Sequence, residues 1–347
     1  MMRAAVLTEL GAPLQIMEDI VIPKLCWGQV LVKLAYSGVC HSQVMEVSGG
    51  RGHDPWLPHM LGHEATGRVV STGPAVTKVL VGDLVVLGWI KGEGCEAGGC
   101  QYSHHTMNIN AGSVTTFSDY AIVSENRLVK LPEGVPLDVG VLFGCALPTG
   151  VGLVLNEIKP EAGTKVAVFG LGGIGLAALM AARTYDVTLI AIDVSSSKLE
   201  LAQALGADHV IDAYSEDPVA RIKQITQSGA NYCVECSGQT SVIEQAFLAS
   251  HPQMGRTIFA SHPKAGDRIM LDPHHLIAGR RIQGSWGGAS DPDRDVPRMA
   301  SLWQAGKLPL ENLISPQRYR LDEINKALDD LAKGRALRPV IELDANV

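Results

Sequence analysis

Two cysteines and a histidine are the residues of this chain that point most directly to chemistry. His63 follows Cys40 after 23 residues, and Cys145 comes much later in the chain. Structural zinc usually takes four protein ligands in tight pairs, whereas catalytic zinc takes three and keeps a position open for water or substrate. The scattered set therefore predicts a catalytic zinc site. The alternative is that both cysteines are small buried residues and the histidine belongs to a loop, because free Cys is commonly buried.

A zinc ion held by two thiolates and an imidazole has a defined chemistry. The thiolates neutralise the charge of the ion while leaving it a Lewis acid, so a bound alcohol can be deprotonated near neutral pH, as bound water is with a pKa of about 7. The deprotonated alcohol can then transfer a hydride from its carbon to an acceptor.

A glycine-rich turn supplies the binding site for such an acceptor. It fits the pattern G-x-G-x-x-G between an apolar strand predicted over 165–169 and an Ala/Leu-rich helix, the context that gives the pattern its meaning. The glycines permit a tight turn, close approach of a pyrophosphate and packing of helix on sheet, and the helix N-terminus faces the phosphates. The turn consists of Gly170, Leu171, Gly172, Gly173, Ile174 and Gly175.

Asp193 ends the next predicted strand, 18 residues past Gly175. A carboxylate there can accept the ribose hydroxyls of the adenosine and would repel a 2′-phosphate. The sequence therefore predicts NAD(H) rather than NADP(H). The alternative is a glycine-rich turn of some other α/β protein.

The elements that must position these residues change in kind along the chain. Before about residue 146, short β-type runs such as 29–34, 67–71 and 82–87 are broken by Gly and Pro and predict an all-β module. Strands and helices then alternate, which predicts βαβ units and a parallel sheet. The alternating segments are 165–169, 171–184, 188–192 and 198–205, followed by strands over 209–212, 232–235, 257–260 and 281–284. From about residue 286 the alternation stops, and a helix over 321–333 and a strand over 339–343 return to the β module.

The composition and net charge of the chain limit the kinds of molecule that the protein is expected to bind. The chain has 347 residues, 46% of them hydrophobic and 19% charged, which predicts a folded protein of two domains. A net charge of -7 offers no basic footprint for nucleic acid or anionic lipid, so the predicted partner is a small molecule, with no nucleic acid and no membrane. Seven cysteines, an odd number without a secretory leader, predict a cytoplasmic location.

The motifs together resemble the zinc-containing alcohol dehydrogenases of the medium-chain dehydrogenase/reductase superfamily, over essentially the whole length. They are GVCHS at 38–42, LGHEATG at 61–67, VGD at 81–83, FGCALPTG at 143–150, the turn at 170–175 and GSWG at 284–287. The resemblance implies an α/β chain with two domains and an active site in the cleft between them. A GroES-like β-rich catalytic domain would cover 1–146 and 286–347, and a Rossmann doubly wound parallel-sheet cofactor domain would cover 147–285.

The resemblance also implies roles for single residues. Cys40, His63 and Cys145 would hold zinc, Glu64 would lie beneath it as an outer or transient ligand, and Ser42 would meet the substrate oxygen as the first proton carrier. The catalytic set is thus Ser42, His63 and Glu64. The remaining roles are His41 and Arg338 on the pyrophosphate, Thr149 beside the nicotinamide, Lys198 near the adenosine ribose, and Trp89 in the wall of the substrate pocket. Apart from the resemblance, the segment 49–56 precedes the ligand His63 and is expected to line the cleft, which predicts Trp56 as a second residue of the substrate pocket. Taken one at a time, each of these residues also has a plainer interpretation, as a hydroxyl in a turn, a core or surface residue, or a solvated charge.

Two places depart from the family pattern. Many relatives carry Asp directly after the Ser/Thr and a relay His two positions later, where this chain has Gln43 and Met45. Met cannot carry a proton, so the relay must end at a cofactor hydroxyl, a water, or another residue such as His53 or His59.

The lobe that holds a structural zinc in relatives retains only two of its four cysteines. It contains Cys95, Cys100, His104 and His105, so one zinc per chain is predicted, with an unusual Cys₂His₂ site as the alternative.

The function predicted from the sequence is reversible hydride transfer between a primary or secondary alcohol and NAD⁺, giving an aldehyde or ketone. The resemblance implies that the protein is a homodimer or homotetramer. A zinc-free enone or quinone reductase is one alternative, opposed by the three zinc ligands and by Asp193. A non-catalytic binding relative is another, and the retention of every ligand opposes it.

Overall fold

A computed structural model describes all residues from Met1 to Val347. Its strands are β1 Met2–Leu7, β2 Gln15–Ile20, β3 Gln29–Gly38, β4 His59–Met60, β5 Ala65–Thr72, β6 Leu84–Leu87, β7 Cys100–His104, β8 Met107–Ala111, β9 Tyr120–Ser124, β10 Leu128–Lys130, β11 Lys165–Phe169, β12 Thr188–Asp193, β13 His209–Asp212, β14 Tyr232–Glu235, β15 Arg256–Phe259, β16 Arg281–Gly284, β17 Arg318–Tyr319 and β18 Val340–Glu342. Its α-helices are α1 His41–Val47, α2 Leu137–Gly140, α3 Ala146–Gly152, α4 Gly173–Ala182, α5 Ser196–Ala204, α6 Pro218–Thr226, α7 Thr240–Ala249, α8 Pro273–Ile277, α9 Pro292–Gln304 and α10 Ile324–Ala332.

The chain divides into two compact units. The first unit comprises Met1–Cys145, Asp291–Ala300 and Leu310–Val347, and the second comprises Ala146–Ser290 and Ser301–Pro309. The domain boundaries predicted from the sequence stay a prediction. The predicted boundary after residue 146 lies one residue from the boundary between the compact units, and the predicted boundary before residue 286 lies five residues before the corresponding one.

The first unit is built on two β-sheets. One has the strand order β2-β1-β4-β8-β7, and the other β10-β6-β5-β3-β18-β17 with β9 also paired to β3. The inward side chains of β3, β5 and β6, such as Val32, Val69 and Val85, form one buried cluster. A second cluster joins Val39 and Leu61, which precede two predicted ligands, to the amphipathic helix α10. The segments that carry Cys40 and His63 are thus anchored by hydrophobic packing.

The second unit is a parallel sheet with helices between its strands. Its order is β13-β12-β11-β14-β15-β16, which is the Rossmann order 3-2-1-4-5-6 counted along the chain. The predicted fold class is therefore confirmed. The order reverses between β11 and β14, and ligands of such sheets bind at the carboxyl ends of strands at that reversal.

The boundaries of several strands match the sequence prediction to the residue, namely those of β11, β13, β14 and β16. Helix α4 begins two residues later than predicted. Gly170 has a φ of 82°, and the N–H of Leu171 is bonded to the Asp193 side chain, so these residues form a turn before the helix. The helix predicted over 321–333 begins with a short 3₁₀ turn, Leu321–Glu323.

No single helix is long and apolar enough to cross a membrane. The segments Leu137–Gly144 and Ala146–Ile158, which are bent relative to each other, are together long and apolar enough for a membrane span by length and composition alone.

Candidate active site

Three segments of the first unit bring the predicted zinc ligands together. Cys40 is the N-cap of α1 directly after β3, His63 lies between β4 and β5, and Cys145 follows the 3₁₀ turn Val141–Gly144. The thiol sulfurs and an imidazole nitrogen all lie within 4.8 Å of one another. Both cysteines are buried, and Nε2 of His63 is 3.2 Å from Sγ of Cys145.

Small residues allow these segments to converge. Antiparallel pairing of β3 with β5 bonds the N–H of Gly38 to the carbonyl of Glu64 at 3.1 Å. A Cβ at Gly38 would clash with the Glu64 carboxylate, and a Cβ at Gly144 would lie 2.8 Å from the Cβ of Glu64. Glycine at both positions is therefore needed for the ligands on either side to approach.

The two thiols shift each other's pKa in opposite directions. A hydrogen bond from the Cys145 thiol lowers the pKa of Cys40 well below its ordinary value, and the same bond, with burial, raises the pKa of Cys145. Zinc binds both sulfurs as thiolates, so its binding releases any proton that either thiol still carries. Two soft sulfurs and one imidazole are a donor set that fits zinc.

A buried ion pair lies beside the ligands. Glu64 follows His63 and is fully buried, and its carboxylate is paired with the guanidinium of Arg338, which is 3% exposed. Burial raises the pKa of Glu64, and the charge of Arg338 opposes that shift. Sequence reasoning placed Arg338 on the pyrophosphate and missed its contact with Glu64. No local signal joins residues so far apart in the chain.

Ser42 lies in the first turn of α1, two residues after Cys40. Its Oγ is buried and has no hydrogen-bond partner. Buried hydroxyls are normally bonded, and an exception calls for an explanation such as a catalytic role. The hydroxyl is thus available to a substrate oxygen. In the second unit the Oγ1 of Thr149 is likewise buried without a partner.

The glycine-rich turn has the geometry that a dinucleotide requires. Gly172 is the N-cap of α4, and no atom lies within 4 Å of the position that a Cβ would occupy there, which leaves the backbone open to a pyrophosphate. A Cβ at Gly170 would lie 2.8 Å from the N of Ser237, and one at Gly175 would clash with the carbonyl of Gly170. These two glycines keep the turn tight.

The Asp193 carboxylate joins the ends of β11 and β12. Its Oδ2 accepts from the N–H of Leu171 at 2.6 Å, and its Oδ1 accepts from the N–H groups of Val194 and Ser195 at 2.9 and 3.0 Å. The Nζ of Lys198 lies 3.8 Å from the same carboxylate. Asp193 therefore fixes the turn as well as presenting a negative charge beside it.

We expect Asp193→Asn to raise the KM for NAD⁺ about 10-fold and to narrow the preference for NAD⁺ over NADP⁺. The amide removes the charge that repels a 2′-phosphate. Both carboxylate oxygens accept from backbone N–H groups, and the NH₂ that replaces one of them can only donate. Values of kcat/KM with both cofactors measure the effect. Asp212 lies opposite Asp193 in register on β13, so Asp212→Asn is the matched control. An unchanged cofactor preference would contradict the assignment.

The other predicted site residues are placed as follows. His41 is exposed on α1, Trp89 is partly buried after β6, and Trp56 is 67% exposed. Their roles, and those of Thr149 and Lys198, stay predictions.

His59, one candidate for the end of the proton relay, is held within its own loop. Its Nε2 is 2.8 Å from Oδ2 of Asp54, and its Nδ1 is 3.0 Å from the carbonyl of Met60. Both ring nitrogens are therefore engaged. His53, the other candidate, is exposed.

The depleted cysteine lobe shows no convergence of ligands. Cys95 donates to the carbonyl of Ala75, Cys100 begins β7, and neither belongs to a cluster that could hold a metal. We expect elemental analysis of the purified protein to find about one zinc per chain. Two per chain would restore the Cys₂His₂ alternative.

Comparisons with known proteins agree with this geometry. A family model for the alcohol dehydrogenase GroES-like domain matches residues 27–133, and one for zinc-binding dehydrogenases matches 173–305. The chain is 32% identical to alcohol dehydrogenase 1 of Trifolium repens over 372 residues, covering 99% of this chain and 97% of that protein. It is 33% identical to an S-(hydroxymethyl)glutathione dehydrogenase of Synechocystis over 370 residues, covering 98% and 99%. Among solved structures it is similar to benzyl alcohol dehydrogenase from Acinetobacter calcoaceticus, with 31% identity, a TM-score of 0.89 and 99% of each chain covered.

Proposed function

Because this chain belongs to the zinc-containing alcohol dehydrogenases of the medium-chain dehydrogenase/reductase superfamily, we propose that it interconverts a primary or secondary alcohol and the corresponding aldehyde or ketone. It is an oxidoreductase whose cofactors are zinc and NAD(H). The observation that carries the proposal is the buried Ser42 hydroxyl, which has no partner and lies two residues from the zinc ligand Cys40.

Each compact unit contributes residues to one part of this chemistry. Cys40, His63 and Cys145 hold zinc, which when bound supplies a Lewis acid for the alcohol oxygen. In the second unit, the glycine-rich turn holds the pyrophosphate of NAD⁺, the hydride acceptor, and Asp193 takes the ribose hydroxyls.

Ser42 moves the proton of the alcohol. A hydroxyl both accepts and donates, so Oγ can take the substrate proton while passing on its own. Met45 cannot receive that proton, and His59 has both ring nitrogens bonded to Asp54 and Met60. We therefore propose that water or a cofactor hydroxyl takes the proton next.

An aromatic primary alcohol is the proposed substrate class. The similarity to a benzyl alcohol dehydrogenase and the presence of Trp56 and Trp89 at the predicted pocket support it. Initial rates of NAD⁺ reduction with aliphatic, aromatic, polyol and hydroxy-acid alcohols, and with S-(hydroxymethyl)glutathione, test it. We expect the highest kcat/KM with aromatic primary alcohols. A preference for S-(hydroxymethyl)glutathione or a hydroxy acid would contradict the substrate class and leave the enzyme class intact.

The assembly and location of the protein are also proposals. We propose a homodimer or homotetramer, as the family resemblance implies, and a cytoplasmic location, as the seven cysteines predict. Light scattering after size exclusion should give about two or four times the chain mass of 36.9 kDa. A single-chain mass would contradict the proposed assembly.

A further inference from the structure

The side-chain amide of Gln43 links two zinc ligands. Gln43 is 2% exposed, and its Oε1 accepts from the backbone N–H of Cys40 at 2.9 Å. Its Nε2 lies against Nδ1 of His63, and the opposite ring nitrogen, Nε2 of His63, faces Sγ of Cys145 at 3.2 Å. Gln43 therefore contacts the side of the imidazole that points away from the metal site.

The backbone of Cys40 fixes the sense of these bonds. A backbone N–H can only donate, and a primary amide has one accepting and one donating atom. The Cys40 N–H is satisfied only when Oε1 of Gln43 faces it, which turns the NH₂ group toward His63. Nδ1 of His63 must then accept, so in the neutral ring the proton lies on Nε2.

Zinc ligation requires the opposite tautomer. Nε2 of His63 must offer its lone pair to the metal, and a neutral ring then carries its proton on Nδ1. That N–H would face the NH₂ group of Gln43. Rotation of the amide would satisfy His63 but would leave the buried N–H of Cys40 facing a donor. In either orientation one N–H lacks an acceptor when zinc is bound.

We propose that Gln43 holds His63 in the Nε2–H tautomer and thereby weakens zinc binding, so that the metal is held less tightly than a carboxylate at this position would allow. A carboxylate accepts at both oxygens and satisfies the Cys40 N–H and the His63 Nδ1–H together. No proton is gained or lost in the exchange of tautomers.

The inference rests on the zinc site and not on the identity of the alcohol, so its test does not depend on activity. Gln43→Glu has the same length and replaces the NH₂ by an acceptor. Chelator competition should give a zinc Kd 10- to 100-fold lower for Gln43→Glu than for the wild type, the usual scale for residues that orient a metal-bound His. Ser48→Glu adds the same charge at the exposed end of α1 and serves as the charge control, with a change below about 3-fold expected.

A second readout reports the tautomer directly. Long-range ¹⁵N NMR of the zinc-free proteins, with the His63 signals assigned by loss in His63→Gln, should show the proton on Nε2 in the wild type and on Nδ1 in Gln43→Glu. Equal zinc affinity of these two proteins would overturn the inference, as would an Nδ1–H tautomer in the zinc-free wild type. Both readouts remain measurable if no tested alcohol is oxidised, so this failure is distinct from failure of the proposed function.

Discussion

Replacement of Ser42 by alanine should lower kcat for alcohol oxidation by about 10²- to 10⁴-fold, the range typical of a positioned proton-transfer group. The Ser42 hydroxyl is buried, has no partner and lies in the same helical turn as a zinc ligand. Its removal takes away the proton acceptor for the alcohol but no ligand of the metal or the dinucleotide. Zinc content and NADH affinity should therefore be unchanged.

Two further variants make this result specific. Ser42→Thr keeps the hydroxyl and should retain most of the activity. Ser48→Ala removes a hydroxyl that donates to the carbonyl of Met45 at the other end of α1 and should leave kcat within about 2-fold. Steady-state and pre-steady-state rates of NADH formation measure both. A Ser42→Ala protein with wild-type turnover would remove this residue from the mechanism.

Replacement of Arg338 by methionine is expected to lower the free energy of unfolding by about 3 to 5 kcal/mol. The variant leaves the Glu64 carboxylate, which is fully buried, without its counter-charge. Methionine fills much of the same volume, so the loss of charge dominates. Urea unfolding followed by circular dichroism measures the change.

The control for Arg338 is Arg320→Met, because the Arg320 side chain is 79% exposed and its removal should cost less than about 1 kcal/mol. In the double variant Glu64→Gln with Arg338→Met, part of the stability should return, since neither charge is then left alone. If the Arg338→Met protein has unchanged stability but a raised KM for NAD⁺, the result would instead favour the role predicted from the sequence, in which Arg338 binds the pyrophosphate of the cofactor.

The parts of the fold that the sequence predicted well are those governed by local patterns. Strands β11 and β14 are apolar runs bounded by turn residues, so their limits follow from hydrophobicity and glycine placement. The start of α4 predicted from the sequence is two residues too early because the N–H of Leu171 is bonded to Asp193, a contact between the turn after β11 and the end of β12. Periodicity along the helix does not reveal such a contact.

The candidate site was predictable to a different degree at each residue. The types and spacing of Cys40, His63 and Cys145 predict a catalytic zinc set, and the family resemblance adds the roles of Glu64 and Ser42 beside it. The pairing of Glu64 with Arg338 could not be predicted, because an arginine so far along the chain fits a solvated charge equally well. The contact of Gln43 with His63 depends on a backbone N–H direction that only the folded turn defines.

Removal of zinc tests the central claim most directly. The protein is treated with a chelator until no zinc is detected, its fold is checked by circular dichroism, and NAD⁺ reduction is measured with the alcohol on which the untreated protein is most active. We predict that activity falls to background and returns on addition of about one equivalent of Zn²⁺ per chain, while NADH still binds the zinc-free protein. Alcohol oxidation that continues at its original rate in the folded, zinc-free protein would contradict a zinc-dependent alcohol dehydrogenase.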